Sequence, residues 1–375
     1  MAAIRLSPQL NGINAGAPDG YVLLVDSAGS ARALKTGPMD RGHLTWGSSG
    51  LSFSDATSEY VISDEGLTAT VRGSEEAYET SRFLSPDGDG FIAVYNVGFG
   101  DREYLARVTT GDGATTRSWD TVGMYESVGQ CGDRVVATTD IAETGAEHSP
   151  AAPRVDVLVQ LYPEPPRGES AILATLPVKQ GSFVMSASEA PCADGTLFAL
   201  ALQHEQPDGL GNSRPVLRAW NISAGKHEVI PLVTGRGAPI DVDDDLLGLP
   251  ASIVGGRYVW VTVSGQVFST DLSSGVTTRA FEVSLTSPEM GESQYVFTPT
   301  SLFVLDVGQN LRAPLGLDRY DLATGKRTRV LSIPGTGAVH HGLDMVIRDL
   351  ALNPDWVNAQ SSSEPETGRT SGARR

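Results

Sequence analysis

Few side chains in this chain are of the kinds that do covalent or metal chemistry, and they gather in short polar stretches between apolar runs. Three of the six histidines, His43, His340 and His341, lie in such stretches. So do Glu75, Glu76, Glu126, Glu289, Glu292 and the run Asp241-Val242-Asp243-Asp244-Asp245, with Lys179 and Arg236 as cations among them. Imidazole beside carboxylate can move a proton, and clustered carboxylates offer the hard oxygen ligands that calcium takes. The acidic run lacks the alternating Asp-x-Asp-x-Asp-Gly spacing of a calcium loop, so no cofactor is expected. Calcium or another divalent cation is the alternative.

The two cysteines are the other reactive pair. Cys131 and Cys192 each stand two residues before an Asp, in Cys-Gly-Asp and Cys-Ala-Asp, so they occupy matching places in a repeat. A structural zinc site needs four such ligands, which a cysteine pair alone does not supply. A disulfide is the reading that fits. It would close a loop of about 60 residues, a contribution of roughly 4 kcal/mol in the chain-entropy model.

The elements that must position these residues are short strands. Gly-centred or Pro-rich turns recur near Gly29, Gly66, Gly113, Gly168, Gly225, Gly275 and Gly325, each flanked by alternating apolar residues. Their spacing, about 37 to 57 residues, is that of a repeat architecture. Each phrase reads as a β-hairpin, most plainly Phe268 to Phe281 and Asp318 to Leu331, and seven hairpin-bearing units specify a closed all-β propeller. Forty-two Gly and twenty-two Pro suit many tight turns, and no long stretch keeps the apolar period of a helix.

A second marker precedes each hairpin: a strand, a tight turn, then a more apolar strand. Its fullest form is Ser85-Pro86-Asp87-Gly88, where Pro presets the first turn position, Asp bonds to nearby backbone and Gly accepts positive φ. Counterparts stand at Asp55, Asp133, Asp194, Gly256, Thr300 and Asp355, so this marker also counts to seven. Ser85 to Val94 resembles the Ser-Pro-Asp-Gly repeat of TolB-like, WD40-like propellers. That resemblance implies the fold and leaves the activity open.

The last marker has nothing after it to complete a blade, while the other terminus offers three strands, Ala2 to Leu6, Tyr21 to Asp26 and Ala31 to Thr36, without an innermost one. A strand at roughly Asp344 to Asn353 is therefore expected to join them and close the ring. Residues 1–356 would form one domain and 357–375, rich in Ser, Glu, Thr, Gly and Arg, a disordered tail. Only about 32 residues separate Asp55 from Asp87, so a six-bladed ring is the structural alternative.

In a propeller, the loops that lead into the innermost strands meet at the mouth of the central channel. The candidate binding set there is His43, Glu126, Lys179, Arg236, Asp243, Glu292, His340 and His341. A net charge of −17 disfavours nucleic acid and anionic membrane surfaces, and no apolar run is long enough to span a bilayer.

The Gly-x-Ser-x-Gly elbow of serine hydrolases is absent, as is the Ser-x-Asp-x-Gly-x-x-Trp box of sialidases. The expectation is thus a monomeric, noncatalytic propeller that binds a protein, peptide or glycan at its channel mouth. If the disulfide forms, the protein is secreted, its signal absent from this chain. The alternatives are a cytoplasmic protein and a propeller lyase or hydrolase that uses mouth histidines and carboxylates. Denatured, nonreduced protein should show no free thiol and weigh two hydrogens less than the reduced form. Two titratable thiols in protein made under oxidising conditions would remove both the bridge and the argument for export.

Overall fold

The computed structural model describes residues 1–8, 19–76, 78–100, 103–144, 154–166, 171–178, 182–185, 189–204, 213–241, 250–286, 293–308, 313–336 and 345–362. Its strands form seven antiparallel sheets. Blade 1 contains β1 (Ala2–Pro8), β2 (Gly20–Val25) and β3 (Ala31–Thr36). Blade 2 is β4 (Leu44–Gly47), β5 (Gly50–Ser54), β6 (Ser58–Ser63) and β7 (Gly66–Val71). Blade 3 is β8 (Tyr78–Leu84), β9 (Phe91–Phe99), β10 (Tyr104–Gly111) and β11 (Thr116–Val122).

Blade 4 is β12 (Ser127–Cys131), β13 (Arg134–Asp140), β14 (Val155–Tyr162) and β15 (Ile172–Pro177). Blade 5 has a divided first strand, β16 (Ser182–Met185) and β17 (Cys192–Ala193), followed by β18 (Thr196–His204), β19 (Ser213–Asn221) and β20 (Lys226–Pro231). Blade 6 is β21 (Ala251–Val254), β22 (Arg257–Val261), β23 (Gln266–Asp271) and β24 (Thr277–Glu282). Blade 7 is β25 (Gln294–Phe297), β26 (Ser301–Asp306), β27 (Leu315–Asp321) and β28 (Arg327–Ile333).

The expected closure is present, and the ring has seven blades rather than six. Strand β29 (Met345–Leu352) pairs with β1 from Ala2↔Leu352 to Pro8↔Met345, becoming the innermost strand of blade 1. Contacts of β29 with both β25 and β4 join first blade to last, and β4, β8, β12 and β17 continue the inner ring. The predicted disulfide also forms between adjacent blades, Cys131 at the end of β12 and Cys192 in β17, with Cα atoms 5.3 Å apart.

The repeating hairpin glycine has a double cause in most blades. The described outer-turn glycines all have positive φ, and Gly29, Gly113, Gly275 and Gly325 also lean closely on the preceding blade, whereas Gly66 faces open space and Gly168 lies outside the described residues. A Cβ on Gly29 (φ 85°) would lie 2.2 Å from the Ser332 carbonyl of blade 7, and one on Gly275 (φ 70°) would lie 2.0 Å from the Pro231 carbonyl of blade 5. Any other residue would both strain the turn and push two blades apart.

Two expectations need correction. Asp55 does not mark the turn after the innermost strand of blade 2. That turn is Ser48-Ser49, closed by the Gly47↔Gly50 pair after a β4 of only four residues. Asp55 lies one connection later, where its carboxylate accepts the amides of Thr57 and Ser58 at 2.9 Å and of Gly37 at 2.8 Å. Blade 2 therefore begins at Leu44, which relieves the crowding before Asp87.

The boundary at residue 357 also differs, since helix α1 (Pro354–Ser362) runs through it. Asn353 Oδ1 caps the helix by accepting the Trp356 amide at 3.0 Å, and Arg319 Nη1 donates to the Gln360 carbonyl at 2.7 Å. Trp356 packs against Phe303, with ring centroids 6.1 Å apart. These contacts hold a sequence of low intrinsic apolarity in place.

The core is divided among the seven seams between blades. Leu6, Phe303, Leu331 and Met345 fill the closing seam, and Trp260, Leu217 and Phe268 fill the seam between blades 5 and 6. Between blades 2 and 3 the buried apolar set shrinks to Met39, Phe91, Ala93 and Tyr95. Charge takes its place. Glu59 pairs with Arg72 and Arg82 at 2.7 Å each, Arg82 Nε pairs with Glu79 at 2.7 Å, and the side chains of all four are fully buried.

Arg82 also donates to Ser52 Oγ and Tyr95 Oη, while Arg72 donates to the carbonyls of Asp55 and Ala56. Glu59, Glu79 and Arg82 thus have hydrogen-bond partners from both blades, and Arg72, bonded within blade 2, lies over the Tyr95 ring of blade 3 at 4.3 Å. Replacing one member strands the rest. Arg82→Met should lower the unfolding free energy by about 3–5 kcal/mol, the usual cost of breaking a buried pair. Denaturant titration with an unchanged slope would measure it, and a loss under about 1 kcal/mol would contradict this account of the seam.

Candidate functional site

Chain direction fixes which loops share the channel mouth. In every blade the loop leading into the first strand and the loop between the second and third strands emerge at the same end. The segments ending at His43, Tyr78 and Glu126 therefore lie at the mouth, beside the connection from Phe99 to Tyr104. Of the eight predicted site residues, Lys179, Asp243, Glu292, His340 and His341 lie outside the described residues. Arg236 stands exposed in a turn closed by the Gly237 amide on the Thr234 carbonyl.

Glu126 is not free. It pairs with Arg154 at 3.1 Å, and Arg154 in turn reaches Asp156 at 2.7 Å and Asp140 at 3.4 Å. Burial pushes the Glu126 carboxyl above its ordinary value, with Arg154 opposing. Its role is that of a strut between strands of blade 4. Among the described residues no group of His, Cys, Asp and Glu is placed to hold a metal ion.

His43 is the predicted residue that sits in a polar cluster. Its Nδ1 lies 3.7 Å from Asp349 Oδ2, on the closing strand β29. The same carboxylate oxygen accepts the Leu44 amide at 2.6 Å, and the His43 amide donates to Glu79 Oε2 at 2.8 Å. Two innermost strands from opposite ends of the sequence thereby grip one short loop. Burial pulls the imidazole down, but the hydrogen bond and charge of Asp349, aided by Glu79 and Glu189, leave its pKa above the ordinary 6.5.

Glu189 joins from blade 5. Where the first strand of that blade is divided, Glu189 leaves β18 and forms a parallel bridge with Val128 of β12, and the Ala190 amide donates to the Val128 carbonyl at 2.8 Å. Cys192, two residues beyond Ala190, is tied to Cys131 of that same strand β12. The disulfide thus anchors the excursion that carries Glu189 inward. The Glu189 carboxylate is open to solvent yet ringed by protein, and it accepts the Arg82 amide at 3.4 Å. Desolvation raises its pKa first, with Asp349 and Glu79 adding and His43 opposing.

Behind this group Arg5 of β1 is wholly buried, and burial brings its pKa down to about 10 against the attraction of Glu79 and Asp55. Gly42 lies over this group: a Cβ there would crowd Met39 Sδ at 3.1 Å and meet Arg5 Nε and Glu79 Oε2 at ordinary contact distances of 3.5 and 3.7 Å. The sequence reading did not include Asp349, Glu79, Glu189 or Arg5. The available signal was charge inside short apolar strands, Arg348-Asp349 in β29 and Glu79 in β8, where a solvated face would not place it.

The mouth also carries exposed apolar surface. Phe99 is 85% exposed and Met124 53%, both at the mouth end of blade 3. Tyr104 packs edge-on against Phe99 at 5.0 Å, and its carbonyl accepts the Gly123 amide next to Met124. Glu75, Glu103 and Asp120 are exposed in the same blade's loops and its outer strand.

Residues 1–352, the whole ring from β1 to β29, match the model of the YycP β-propeller domain. The chain belongs to the YycP β-propeller family. No curated protein is similar to it at a significant level. Among solved structures, the YycP-type ring is similar to the β-propeller domain of the trilobed protease from Pyrococcus furiosus, with 12% identity, 88% and 98% of the two chains covered and a TM-score of 0.48.

It is also similar to a variant of the Synechocystis apocarotenoid oxygenase, at 11% identity, 89% coverage of each chain and a TM-score of 0.46. The WD40 domain of Neurospora crassa Pan2 follows at 8% identity, 77% and 79% coverage and a TM-score of 0.45. These likenesses concern the propeller fold.

In the YycP-type mouth, His43 titrates above its ordinary 6.5. Its charged form therefore contributes stability that is fully present below pH 6.5 and lost as pH rises through the folded value. Asp349→Asn removes the main opposing influence and leaves burial in control, so the His43 midpoint should fall below 6.5. Histidine NMR titration of both proteins checks this, and an unchanged midpoint would show that Asp349 does not set the charge.

Proposed function

We propose that this YycP-family propeller is a noncatalytic, exported binding module whose mouth receives a protein or peptide segment with basic and apolar side chains. The observation that carries the reading is the pair of exposed apolar residues, Phe99 and Met124, at the mouth end of blade 3. Exposed apolar side chains mark an interaction site when they cluster, and Phe99 and Met124 stand on either side of Tyr104 at one end of blade 3. Carboxylates favour a cationic partner: Glu75 and Glu103 around blade 3, Glu189 and Asp349 in the channel, and a net charge of −17 overall.

Of the ligands that the sequence allows, a peptide fits this mixture better than a glycan. The Cys131–Cys192 bridge supports an oxidising compartment and hence export.

A labelled peptide containing Lys, Arg and Leu should bind, and its acidic counterpart should not. The affinity should fall with added salt, and the double variant Phe99→Ser, Met124→Ser should weaken it by about tenfold or more, some 1.4 kcal/mol, at unchanged melting temperature. Equal binding by the double variant would remove the patch from the proposal.

A second reading, a propeller lyase or hydrolase, is favoured by one observation, the His43–Asp349 contact with Glu189 nearby. An imidazole held by one carboxylate near another could serve as acid or base. Any activity found that survives His43→Ala would exclude that reading.

A further inference from the structure

The outer strands of the blades end the sheets, and proteins normally guard such edges with charge or proline. Most blades here obey the rule. Strand β3 carries Arg32 and Lys35, β11 carries Arg117 and Asp120, β20 carries Lys226 and Glu228, β24 carries Arg279 and Glu282, and β28 carries Arg327 and Arg329. Strand β15 has no charge but ends in Pro177.

Strand β7, Gly66-Leu67-Thr68-Ala69-Thr70-Val71, has neither charge nor proline, and all but Thr70 of its residues are exposed. Leu67 at 49% and Val71 at 75% are two of the large apolar side chains most open to solvent among the described residues. The strand pairs with β6 on one side from Ser58↔Val71 to Ser63↔Gly66, and its other side ends the sheet.

Such a strand is a template. Alternate residues present their N–H and C=O groups outward, Thr and Val suit a pleated surface, and the apolar Leu67, Ala69 and Val71 share one face. The blade is also held from the side, since Thr70 Oγ1 donates to the Gly113 carbonyl of blade 3 at 2.9 Å, which keeps the edge in place without covering it. The exposed charges flanking the strand are of one sign, Asp64 and Glu65 before it and Glu75 four residues beyond it, while Arg72 next to Val71 is buried on Glu59.

A second copy of the chain would fit poorly. An antiparallel self-pair centred on Ala69 sets Leu67 opposite Val71, but it puts an exposed Asp64-Glu65 pair at each end of a contact between molecules that each carry −17. We propose that the outer edge of β7 takes up an extended segment of a partner protein, uncharged and β-branched at its centre and basic at its flanks, as an added strand of blade 2. Backbone hydrogen bonds would supply the attachment, and the charged flanks would set partner choice.

The test uses the full chain and a synthetic peptide, Lys-Lys-Thr-Val-Thr-Val-Thr-Lys-Lys, as the probe. Amide hydrogen exchange in residues 66–71 should slow by about tenfold or more at saturating peptide. Ala69→Lys, at an exposed position, should weaken binding by about tenfold at unchanged melting temperature, since it opposes the basic peptide. Phe99→Ser should leave the effect intact, which separates this site from the channel mouth.

The proposal is overturned if residues 66–71 gain no protection. Equal protection by a peptide with proline at its centre would also overturn it, because attraction would then be charge alone. Protection that depends on protein concentration without peptide would assign the edge to a second copy and overturn it too.

Discussion

The pairing of Ala2–Pro8 with Met345–Leu352 is the constraint on which the rest of the ring depends. A single four-stranded blade cannot bury both its faces. Each apolar cluster here lies between two blades, so every blade completes its core only by having a neighbour on each side. Without the last strand, blade 1 would lack its innermost member and the closing seam would open onto Leu6, Phe303 and Leu331. The same strand brings Asp349 to His43, residues about 300 positions apart in the chain, so closing the ring and assembling the channel cluster are one event.

Within that closed ring the seams are chemically unequal. Most are filled by branched aliphatic and aromatic side chains, held by close packing rather than by directional bonds. The seam between blades 2 and 3 is held by Glu59, Arg72, Glu79 and Arg82, whose hydrogen bonds are directional and mutually dependent. Glu79 links this seam to the channel, because it binds Arg82 through one oxygen and the His43 amide through the other. The mouth on this side is therefore built on a rigid polar joint, while the disulfide fixes the side that bears Glu189.

The sequence made the scaffold legible because its signals are local and repeated. The described outer turns place a glycine at positive φ, and most of these also lean on the preceding blade, so the hairpins could be counted, and the matched Cys-x-Asp units placed Cys131 and Cys192 in adjacent blades. Asp55 misled because an Asp that binds backbone amides reads alike in either connection of a blade, while the Ser48-Ser49 turn has no such signature. Helix α1 was hidden for a different reason: its stability comes from Trp356 on Phe303 and from Arg319, contacts distant in sequence. The channel cluster was largely illegible, since His43 stood out by residue type whereas Asp349, Glu79 and Glu189 acquire meaning only when their strands converge.

The direction of the closing pair also governs how the molecule responds to force. Ala2 lies opposite Leu352, so the two chain ends leave the ring side by side. Tension applied through them would first have to lift Trp356 from Phe303, and would then load the β1–β29 bonds one after another, as a zipper is opened, rather than all together in shear. Extension that passed through the blades would stop at Cys131–Cys192, which keeps the intervening part of blades 4 and 5 out of the stretched chain. The ring is thus easiest to open where its ends meet, and a covalent limit lies within it.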